Sequence, residues 1–345
     1  MTENPLVIAP NLKRRLSGVT ATVVRLIPVQ ARMIAICATG PGLPAGLPHI
    51  PLIRAATMPR DRWRVWHARR NTEMLLGLVL TRLLRRKYRL LFTSASQRRH
   101  SGYTKWLIGR MDSLVATSAK GAGYLDHPAR VIHHGIDTEG FAPPEDRAAL
   151  RESLGLPVGD LLVGCYGRIR AQKGTGDFVQ AMIALLPSRP DVTALVMGRA
   201  TEKHQGYLAD LKWQVEKAGL SGRIRFLPEV PVDRMADWYG VLDLYVAPQR
   251  WEGFGLTPLE AMACGVPVVA TRVGAFEELI APETGTLIAP QDEAAMRTAV
   301  ADWLDNPDAL ARAGDAARDH AVLNHGIESE ARALVDIYRE LLARP

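Results

Sequence analysis

Residues Arg250–Thr271 read RWEGFGLTPLEAMACGVPVVAT and combine a glycine-rich turn, a helix start and an apolar run. The segment Thr257–Glu260 (TPLE) predicts the helix start, with Thr at the N-cap and Pro at the first helical position. Gly253 and Gly255 leave the preceding backbone N–H groups free to point outward together. A helix N-terminus of this kind favours an anion, most often a phosphate. The run 266–270 then predicts a buried parallel strand.

Two carboxylates, Glu252 and Glu260, stand eight positions apart in this stretch. Glu260 taken alone is explained as the reciprocal half of a capping box, and Glu252 alone as a loop carboxylate without a task. A ligand site is favoured over these interpretations because a second anion-binding element precedes the stretch in the chain.

That element follows an apolar strand predicted at 161–166, in the loop Gly167–Gly174. The loop is not a Walker loop, because its Lys is followed by Gly and the spacing differs. It places two cations, Arg168 and Lys173, at the carboxyl end of a strand, where they suit a diphosphate. Strands and helices then alternate, which predicts a doubly wound domain. The further strands are expected at 193–198, 223–227, 243–247 and 285–288, with helices from 177, at 207–217 and at 233–240.

Length and composition limit the class of protein. A chain of 345 residues is too long for one core, and 47% hydrophobic content is ordinary for globular proteins. No apolar run is long enough for a transmembrane helix, and the first residues do not resemble a signal peptide. The three distant cysteines, in apolar surroundings, predict reduced core residues of a cytosolic protein: Cys37, Cys165 and Cys264.

Charge is distributed unevenly along the chain. Residues 1–150 carry 23 Lys and Arg against 9 Asp and Glu, a balance of +14, whereas residues 151–345 carry 20 against 27. A basic first half suggests nucleic acid, an anionic membrane surface or a phosphorylated substrate as partner. A solvated basic surface without a partner is the alternative.

The first half also opens like a doubly wound domain. A strand at 5–10, a basic loop with Lys13, Arg14 and Arg15, and a helix after Ser17-Gly18 fit this pattern. Gly18 would let a ligand approach the helix start. A second strand is expected at 32–38.

A long helical region is expected from Asp61 to about Lys87. Its opening interleaves arginines with aromatic rings, a composition that suits sugars and phosphates: Arg62, Arg64, Arg69 and Arg70 with Trp63, Trp66 and His67. The apolar run 75–84 is a core helix or a membrane-facing one. The basic cluster at 82–89 beside it fits a protein resting on an anionic membrane.

The strand predicted at 90–95 ends in the loop Ser96–Ser101. His100, beside Arg98 and Arg99, would bind an anionic acceptor or polarise a hydroxyl there. The alternative is an exposed loop histidine without a function. Two further strands are expected at 112–118 and 131–136, and the proline-rich segment 142–146 is expected to link two domains.

Three motifs together resemble the retaining glycosyltransferases of family 4, which have the GT-B fold. They are GIDTEGF at 135–141, Gly167-Arg168 with Lys173-Gly174, and the spacing E-x7-E of Glu252 and Glu260. The resemblance implies two doubly wound α/β domains facing each other across a cleft. Residues 1–145 would bind the acceptor and 146–325 the donor, and the last helix, within 326–345, would pack back on the first domain.

The resemblance also implies roles for individual residues. Arg168 and Lys173 would hold the donor's diphosphate, Glu260 its ribose, and Glu252 its sugar. The residues expected to bind the donor are Gly18, Gly167, Phe226, Leu227, Pro228, Gly253, Phe254, Gly255, Leu256 and Glu260. Those expected to act in catalysis are Arg168, Lys173, Glu252 and His100. No cofactor is implied and no metal, since the sequence has no Asp-x-Asp cluster.

Two segments of the first half, WHARRNTEM at 66–74 and FTSASQRRHSGYTKWL at 92–107, are similar to bacterial lipopolysaccharide-core mannosyltransferases. This implies transfer of mannose from GDP-mannose to an anionic glycolipid, the Kdo–lipid A region, by an enzyme peripheral on the cytoplasmic face of the inner membrane. The expected acceptor-binding residues are Arg64, His67, Arg69, Arg70, Arg98 and Arg99. Many family members carry a histidine just after the strand that here ends at 93–95, and His100 is the nearest candidate.

Two other interpretations stay open from the sequence. A different GT-B enzyme that uses nucleotide sugars, such as a UDP-glucose or UDP-galactose transferase or an epimerase, would share the donor site. A basic nucleic-acid-binding protein would use the +14 half, but no known nucleic-acid-reading motif is present, so no nucleic acid partner is expected.

Overall fold

A computed structural model of the chain describes residues 4–13 and 18–345. Backbone contacts divide it into two compact units. Unit 1 comprises Met1–Gly135 together with Ile327–Pro345, and unit 2 comprises Ile136–Gly326. Each unit contains one parallel six-stranded sheet, which confirms the predicted α/β class with two doubly wound domains.

The sheet of unit 1 runs in the order β2-β1-β3-β4-β5-β6, with all neighbours parallel. The chain leaves β1 towards β2 and returns on the other side of β1 as β3, so the strand order reverses between β1 and β3. Ligands of doubly wound sheets bind at such a reversal, beyond the carboxyl ends of the strands. The strands are β1 (Val7–Pro10), β2 (Ile36–Thr39), β3 (Arg64–Ala68), β4 (Tyr88–Ser94), β5 (Ser113–Ala116) and β6 (Arg130–Val131).

Side chains alternate between two cores on the faces of this sheet. Val65 and Leu91 belong to one core, whereas Trp66 and Leu90 belong to the other, as successive residues of a strand must. Both faces are therefore covered by apolar residues, which is typical of a parallel sheet. The first helices are α1 (Gly18–Gln30), α2 (Leu52–Thr57), α3 (Asn71–Leu78), which continues as a π-helical turn (Val79–Leu83), α4 (Gly102–Ile108) and α5 (Ala119–Ala122).

The helical region expected from 61 to about 87 is wrong in its first part, which contains β3, whereas residues 71–83 are helical. All five residues of β3 are buried. The terminal nitrogens of Arg64 and both ring nitrogens of His67 have hydrogen-bond partners inside the protein, so these polar residues can occupy a buried strand. The strand therefore shows neither alternation nor an apolar run in the sequence. Trp66 also fits this buried strand, since its Nε1 donates to the carbonyl of Glu73 at 2.8 Å. Over the described ranges of the chain, no helix is both long and apolar enough to traverse a bilayer.

The sheet of unit 2 runs in the order β12-β11-β10-β7-β8-β9, again with parallel neighbours. Here the strand order reverses between β7 and β10, at the centre of the sheet. Each strand predicted for the second half is present within two residues of its expected bounds. The strands are β7 (Leu161–Tyr166), β8 (Val192–Met197), β9 (Ile224–Leu227), β10 (Leu244–Ala247), β11 (Val268–Thr271) and β12 (Gly285–Ile288).

Alternation along β10 again separates two cores. Tyr245 and Ala247 belong to one, and Leu244 and Val246 to the other. The helices that supply the rest of these cores are α6 (Arg147–Ser153), α7 (Thr175–Leu185), α8 (Gln205–Lys217), α9 (Met235–Gly240), α10 (Thr257–Ala263), α11 (Phe276–Leu279), α12 (Glu293–Leu304) and α13 (Pro307–His325).

The division between the units lies ten residues before the one expected at 145. Ile136 is buried in the core of unit 2, and its N–H donates to the carbonyl of His325 at 2.8 Å. The segment 142–146, expected as a linker, also packs on unit 2: a Cβ built on Gly240 would lie 2.9 Å from the ring of Pro144.

The chain returns to unit 1 as α14 (Ile327–Ala343). Leu334 and Tyr338 of this helix are buried in the same core as Val23 and Leu26 of α1. Glu330 accepts a hydrogen bond from the backbone N–H of Gly135 at 2.7 Å and lies 2.8 Å from His134. Core packing and buried polar contacts thus both attach α14 to unit 1.

Candidate functional site

The two loops that carry most of the predicted donor residues follow adjacent strands of unit 2. Gly167–Gly174 follows β7, and Pro248–Leu256 follows β10. Since β7 and β10 pair in parallel, both loops leave the same edge of the sheet at the point where its order reverses. The topology therefore brings Arg168, Lys173 and Glu252 to one edge.

Gly174 holds these two loops together. Its φ of +72° lies in the left-handed region, and a Cβ there would approach the carbonyl oxygen of Pro248 to 1.7 Å. The N–H of Arg250 donates to the carbonyl of Gln172 at 3.1 Å, which adds a second backbone contact. Only glycine fits this position, because the second loop occupies the space of a side chain.

Arg250 and Asp177 connect the second loop to the start of α7. Asp177, in the first turn of α7, is buried and receives the Nε–H of Arg250 at 2.9 Å. The hydrogen bonds with Asp177 raise the pKa of Arg250 further above its usual range. Sequence reasoning missed this pair, since no motif connects two residues that are 73 positions apart.

Lys173 and Glu252 form an ion pair within the same site. Their side chains are 22% and 18% exposed, so each is largely enclosed but still reachable. The other oxygen of Glu252 accepts from the N–H of Gly253 at 3.0 Å. Two residues predicted separately as donor ligands thus share one cluster of charges.

The glycine-rich turn is fixed by its neighbours. A Cβ on Gly255, whose φ is +90°, would lie 2.3 Å from the ring of Phe276 and 2.9 Å from Cγ of Glu252. The carbonyl of Phe254 accepts from the N–H of Ala275 at 3.1 Å, and the Phe254 side chain is buried. The backbone that leads to Leu256 is therefore held close to Glu252.

The start of α10 lies one residue away from its predicted position. The helix begins at Thr257, and the N-cap is Leu256, which makes no side-chain capping bond. Thr257 is therefore not the N-cap. The carboxylate of Glu260 accepts a hydrogen bond of 2.8 Å from the hydroxyl of Tyr239.

Tyr239 is a residue that sequence reasoning missed. It is completely buried among Tyr166, Tyr245 and Phe141. Burial, followed by the charge of Glu260, raises the pKa of Tyr239 well above its usual value. Its hydroxyl therefore stays protonated and can always donate. No spacing in the sequence marks this contact between α9 and α10.

Arg168 is exposed, and its side chain makes no hydrogen bond or ion pair with any residue that the structure describes. Phe226 and Leu227 end β9, which β8 separates from β7, and Pro228 after them is exposed. These residues share the carboxyl edge of the sheet with the two loops.

In unit 1, Asn11 connects the elements around the reversal between β1 and β3. Its Oδ1 accepts from Thr20 of α1 at 3.0 Å and from Arg70 at 2.9 Å. Arg70 also pairs with the buried Glu73 at 2.7 Å. Gly18 begins α1, whereas Arg14, Arg15 and Ser17 lie outside the described residues.

Three of the expected acceptor residues make hydrogen bonds inside unit 1. Arg70 is held by Asn11 and Glu73. The buried Arg64 donates to the carbonyl of Pro59 at 2.8 Å and to Asn4 at 2.7 Å. His67 is also buried, with both ring nitrogens in hydrogen bonds. The acceptor role expected for these three stays a prediction, and none of them lines the cavity described next.

The other expected acceptor residues follow the carboxyl ends of β3 and β4 in unit 1. A cavity of about 270 Å³ there is lined by Arg69, Arg98 and His100, among others. Burial, together with the charge of Arg98, lowers the pKa of His100. Arg99 is exposed and does not line the cavity.

The family model described as "Glycosyl transferases group 1" matches residues 146–320. The chain belongs to this family and is a glycosyltransferase. It is 53% identical over 344 residues, 97% of each chain, to the lipopolysaccharide core biosynthesis mannosyltransferase LpsB of Rhizobium meliloti (strain 1021). It is 50% identical over 342 residues, 97% of this chain and 96% of the relative, to the lipopolysaccharide core biosynthesis mannosyltransferase LpcC of Rhizobium leguminosarum bv. viciae.

Solved structures agree on the fold. Anabaena Alr3699/HepE in complex with UDP has a TM-score of 0.85 at 19% identity, covering 97% of this chain and 99% of that one. The C-terminal domain of the group 1 glycosyl transferase LpcC from Francisella tularensis is 32% identical, with a TM-score of 0.54, over 56% of this chain and all of that one. The predicted GT-B class is thereby confirmed.

Proposed function

We propose that the chain transfers mannose from GDP-mannose to the inner core of lipopolysaccharide, in the Kdo–lipid A region, with retention of anomeric configuration. Two relatives of nearly the same length, at 53% and 50% identity, are named as lipopolysaccharide core mannosyltransferases. The observation that carries the proposal is the cluster of Lys173 and Glu252 where the sheet order of unit 2 reverses.

The donor is proposed to bind to unit 2. Arg168 and Lys173 hold the diphosphate, because two cations at one strand edge can neutralise it without a metal. Glu260 accepts a hydrogen bond from the ribose. Glu252 and the backbone from Gly253 to Leu256 hold the sugar, while Gly167 lets the diphosphate approach. The remaining proposed donor contacts are Phe226, Leu227 and Pro228 at the base.

The proposed reaction exchanges one bond at the anomeric carbon of mannose. The bond to the oxygen of the β-phosphate breaks, and a bond to the acceptor hydroxyl oxygen forms on the same face. The acceptor proton passes to the departing diphosphate, so no protein nucleophile is needed. Arg168 and Lys173 stabilise the charge that develops on the diphosphate.

The acceptor is proposed to bind to unit 1. Its candidate contacts are Arg69, Arg98 and His100, which line one cavity. His100 retains a buried Nε2 without a hydrogen-bond partner in the described part of the chain. A neutral imidazole with a free nitrogen suits contact with a sugar hydroxyl.

Peripheral binding to the cytoplasmic face of the inner membrane is the proposed localisation. Unit 1 presents a surface where exposed apolar side chains alternate with cations, here called the basic apolar face. Ile53 is 71% exposed and Leu83 is 74% exposed. The face consists of Ile53, Arg82, Leu83, Leu84, Arg85 and Lys87.

Hydrogen bonds join the two segments of the basic apolar face. Tyr88 donates to the carbonyl of Ala55 at 2.6 Å, and Arg60 donates to that of Leu84 at 3.0 Å. Leu83 at the end of the π-helical turn and Leu84 just after it are both exposed, and Arg85 follows them. Apolar side chains beside cations are what an anionic bilayer surface binds.

The function is tested with a panel of donors and defined acceptors. GDP-mannose is expected to raise the melting temperature of the protein more than UDP-glucose or UDP-galactose does. Mass spectrometry should then detect one added hexose on a truncated lipid A–core acceptor, in EDTA as well as without it. Transfer from a UDP-hexose alone contradicts the donor assignment, and conversion of the donor without acceptor indicates an epimerase.

A further inference from the structure

The cavity in unit 1 lies where the order of that sheet reverses. Its walls come from α1, from the residues just after β3, and from the end of β4 with the loop after it. One residue of α4 and His134 complete the lining. This is the position at which doubly wound sheets bind ligands. The polar lining includes Arg69, Asn71, Thr93, Ser94, Arg98 and His100.

The described residues that line the cavity include two arginines and two histidines but no carboxylate. The acidic groups near it are already engaged. Glu73 receives the N–H of Arg69 at 2.8 Å and the guanidinium of Arg70, and Glu330 faces His134 at 2.8 Å. Hence no acidic side chain in this lining offsets the charge of Arg69 and Arg98.

A buried chain of hydrogen bonds determines whether the hydroxyl of Thr93 donates or accepts. The Nδ1 atom of His67 lies 2.7 Å from the hydroxyl of Tyr338 and 3.3 Å from Nη2 of Arg69. Arginine is only a donor, so Nδ1 must be the unprotonated, accepting nitrogen. Burial, together with the charge of Arg69, keeps the pKa of His67 well below its usual value, which makes the ring neutral.

The other ring nitrogen must then carry the proton. Nε2 of His67 lies 2.7 Å from Oγ1 of Thr93, so His67 donates and Thr93 accepts. The hydroxyl hydrogen of Thr93 is thereby free to donate to a different group. Because Thr93 lines the cavity, this hydrogen can be offered to a ligand there.

We propose that this cavity binds an anionic oxygen group of the acceptor, a sugar carboxylate or phosphate, through Arg98, Arg69 and the hydroxyl of Thr93. The inference rests on the proposed function and adds the acceptor group that unit 1 recognises. Arg98, Arg69 and Thr93 would all donate hydrogen bonds to the ligand, which suits a group that only accepts them. Tyr338 and His67 are positioning residues, since they act on the ligand through Thr93.

The decisive experiment is a double-mutant cycle in which one change is made in the protein and the other in the acceptor. Wild type and Arg98→Gln are assayed with a lipid A–core acceptor, with its carboxyl methyl ester, and with the phosphatase-treated acceptor. Losing a charge-assisted hydrogen bond is expected to lower kcat/KM for the acceptor about 10- to 100-fold. Arg98→Gln should then show no further loss with whichever altered acceptor lacks the recognised group.

One control variant and one pair of Thr93 variants complete the experiment. Arg32→Gln makes the same charge change in the turn before β2, at the opposite edge of the sheet, and should leave the acceptor KM unaltered. Thr93→Val should raise the acceptor KM about 10-fold without changing the donor KM, while Thr93→Ser restores it. A purely structural role for Thr93 would move the donor KM and the melting temperature instead.

The inference is overturned if Arg98→Gln lowers kcat/KM by the same factor with both altered acceptors as with the native acceptor. That outcome would leave the proposed function intact. An absence of any mannose transfer by wild type to lipopolysaccharide-core acceptors overturns both. An increase in the donor KM upon Arg98→Gln also contradicts the inference, because the cavity would then bind the nucleotide sugar.

Discussion

Lys173 and Glu252 form an ion pair in unit 2 although 79 positions separate them in the chain. The pair joins the loop after β7 to the loop after β10, beside the contact of Gly174 with Pro248. A cation and an anion therefore share the one place where the sheet order reverses. This arrangement keeps each side chain oriented while leaving part of it exposed.

Lys173→Ala should lower kcat about 10²- to 10³-fold, because it removes a cation from the developing charge on the diphosphate. Initial rates at saturating donor and acceptor measure the effect. Lys217→Ala is the matched control, since Lys217 lies over Trp213 at the end of α8, away from the site. Full turnover by Lys173→Ala with unchanged donor affinity would remove Lys173 from the mechanism.

Tyr239→Phe should raise the donor KM about 10-fold, since it deletes a hydrogen bond to the charged Glu260. The acceptor KM should stay constant. Tyr166→Phe is equally buried and loses a bond to the carbonyl of Trp238 only, so it reports the general effect of losing a buried hydroxyl. Equal donor KM values in the two variants would refute the positioning role of Tyr239.

Gly174→Ala should destabilise unit 2 by at least about 2 kcal/mol, because the left-handed φ and the approach to Pro248 both penalise a Cβ. Urea unfolding followed by tryptophan fluorescence gives the change. Gly206→Ala in α8 meets no atom within 4 Å and should be neutral or stabilising. A neutral Gly174→Ala would show that the two loops can separate freely.

His67 makes the stability of unit 1 depend on pH. Its pKa is well below 6.5 in the fold, so the unfolded chain binds a proton that the folded chain does not. The neutral ring's contribution to the free energy of unfolding is fully present above about pH 6.5. Below that pH the contribution falls by up to about 1.4 kcal/mol per pH unit. Hydrogen exchange of unit 1 amides between pH 7 and 5 should show a smaller slope for His67→Gln than for wild type. Equal slopes would mean that His67 is charged when folded.

Replacing both Ile53 and Leu83 with Ser should weaken sedimentation of the protein with vesicles containing anionic lipid about 10-fold or more, because two exposed apolar anchors are lost. Leu323→Ser in unit 2 is the control, since Leu323 is 76% exposed outside the basic apolar face. Unchanged sedimentation of the double variant would exclude this face as the membrane contact.

The sequence predicts unit 2 more accurately than unit 1, for a physical reason. The strand β7 is an apolar run between glycine-bearing segments, and its bounds agree with the prediction. In β3, by contrast, Arg64 and His67 are buried with internal partners, so the pattern resembles an amphipathic helix. The polar partners that make the strand possible lie elsewhere in the chain, as far away as Tyr338.

Individual site residues show the same limit. Arg168, Lys173 and the two glutamates could be recognised because each follows a strand or opens a helix. Tyr239, Arg250 and Asp177 could not, because their contacts depend on how α9, α7 and the loops pack. The contacts of Arg70 with Asn11 and Glu73 could not be predicted for the same reason.

The return of α14 to unit 1 has a consequence for synthesis on the ribosome. Unit 2 is a continuous segment and can complete its fold as soon as Gly326 has emerged. Unit 1 cannot complete its fold until Tyr338 and its neighbours in α14 have been synthesised. The core that α14 shares with α1 therefore stays partly exposed to solvent while nearly two hundred residues are translated. A stop codon just after Gly326 would therefore spare unit 2 and leave the nascent amino-terminal part of unit 1 to chaperones.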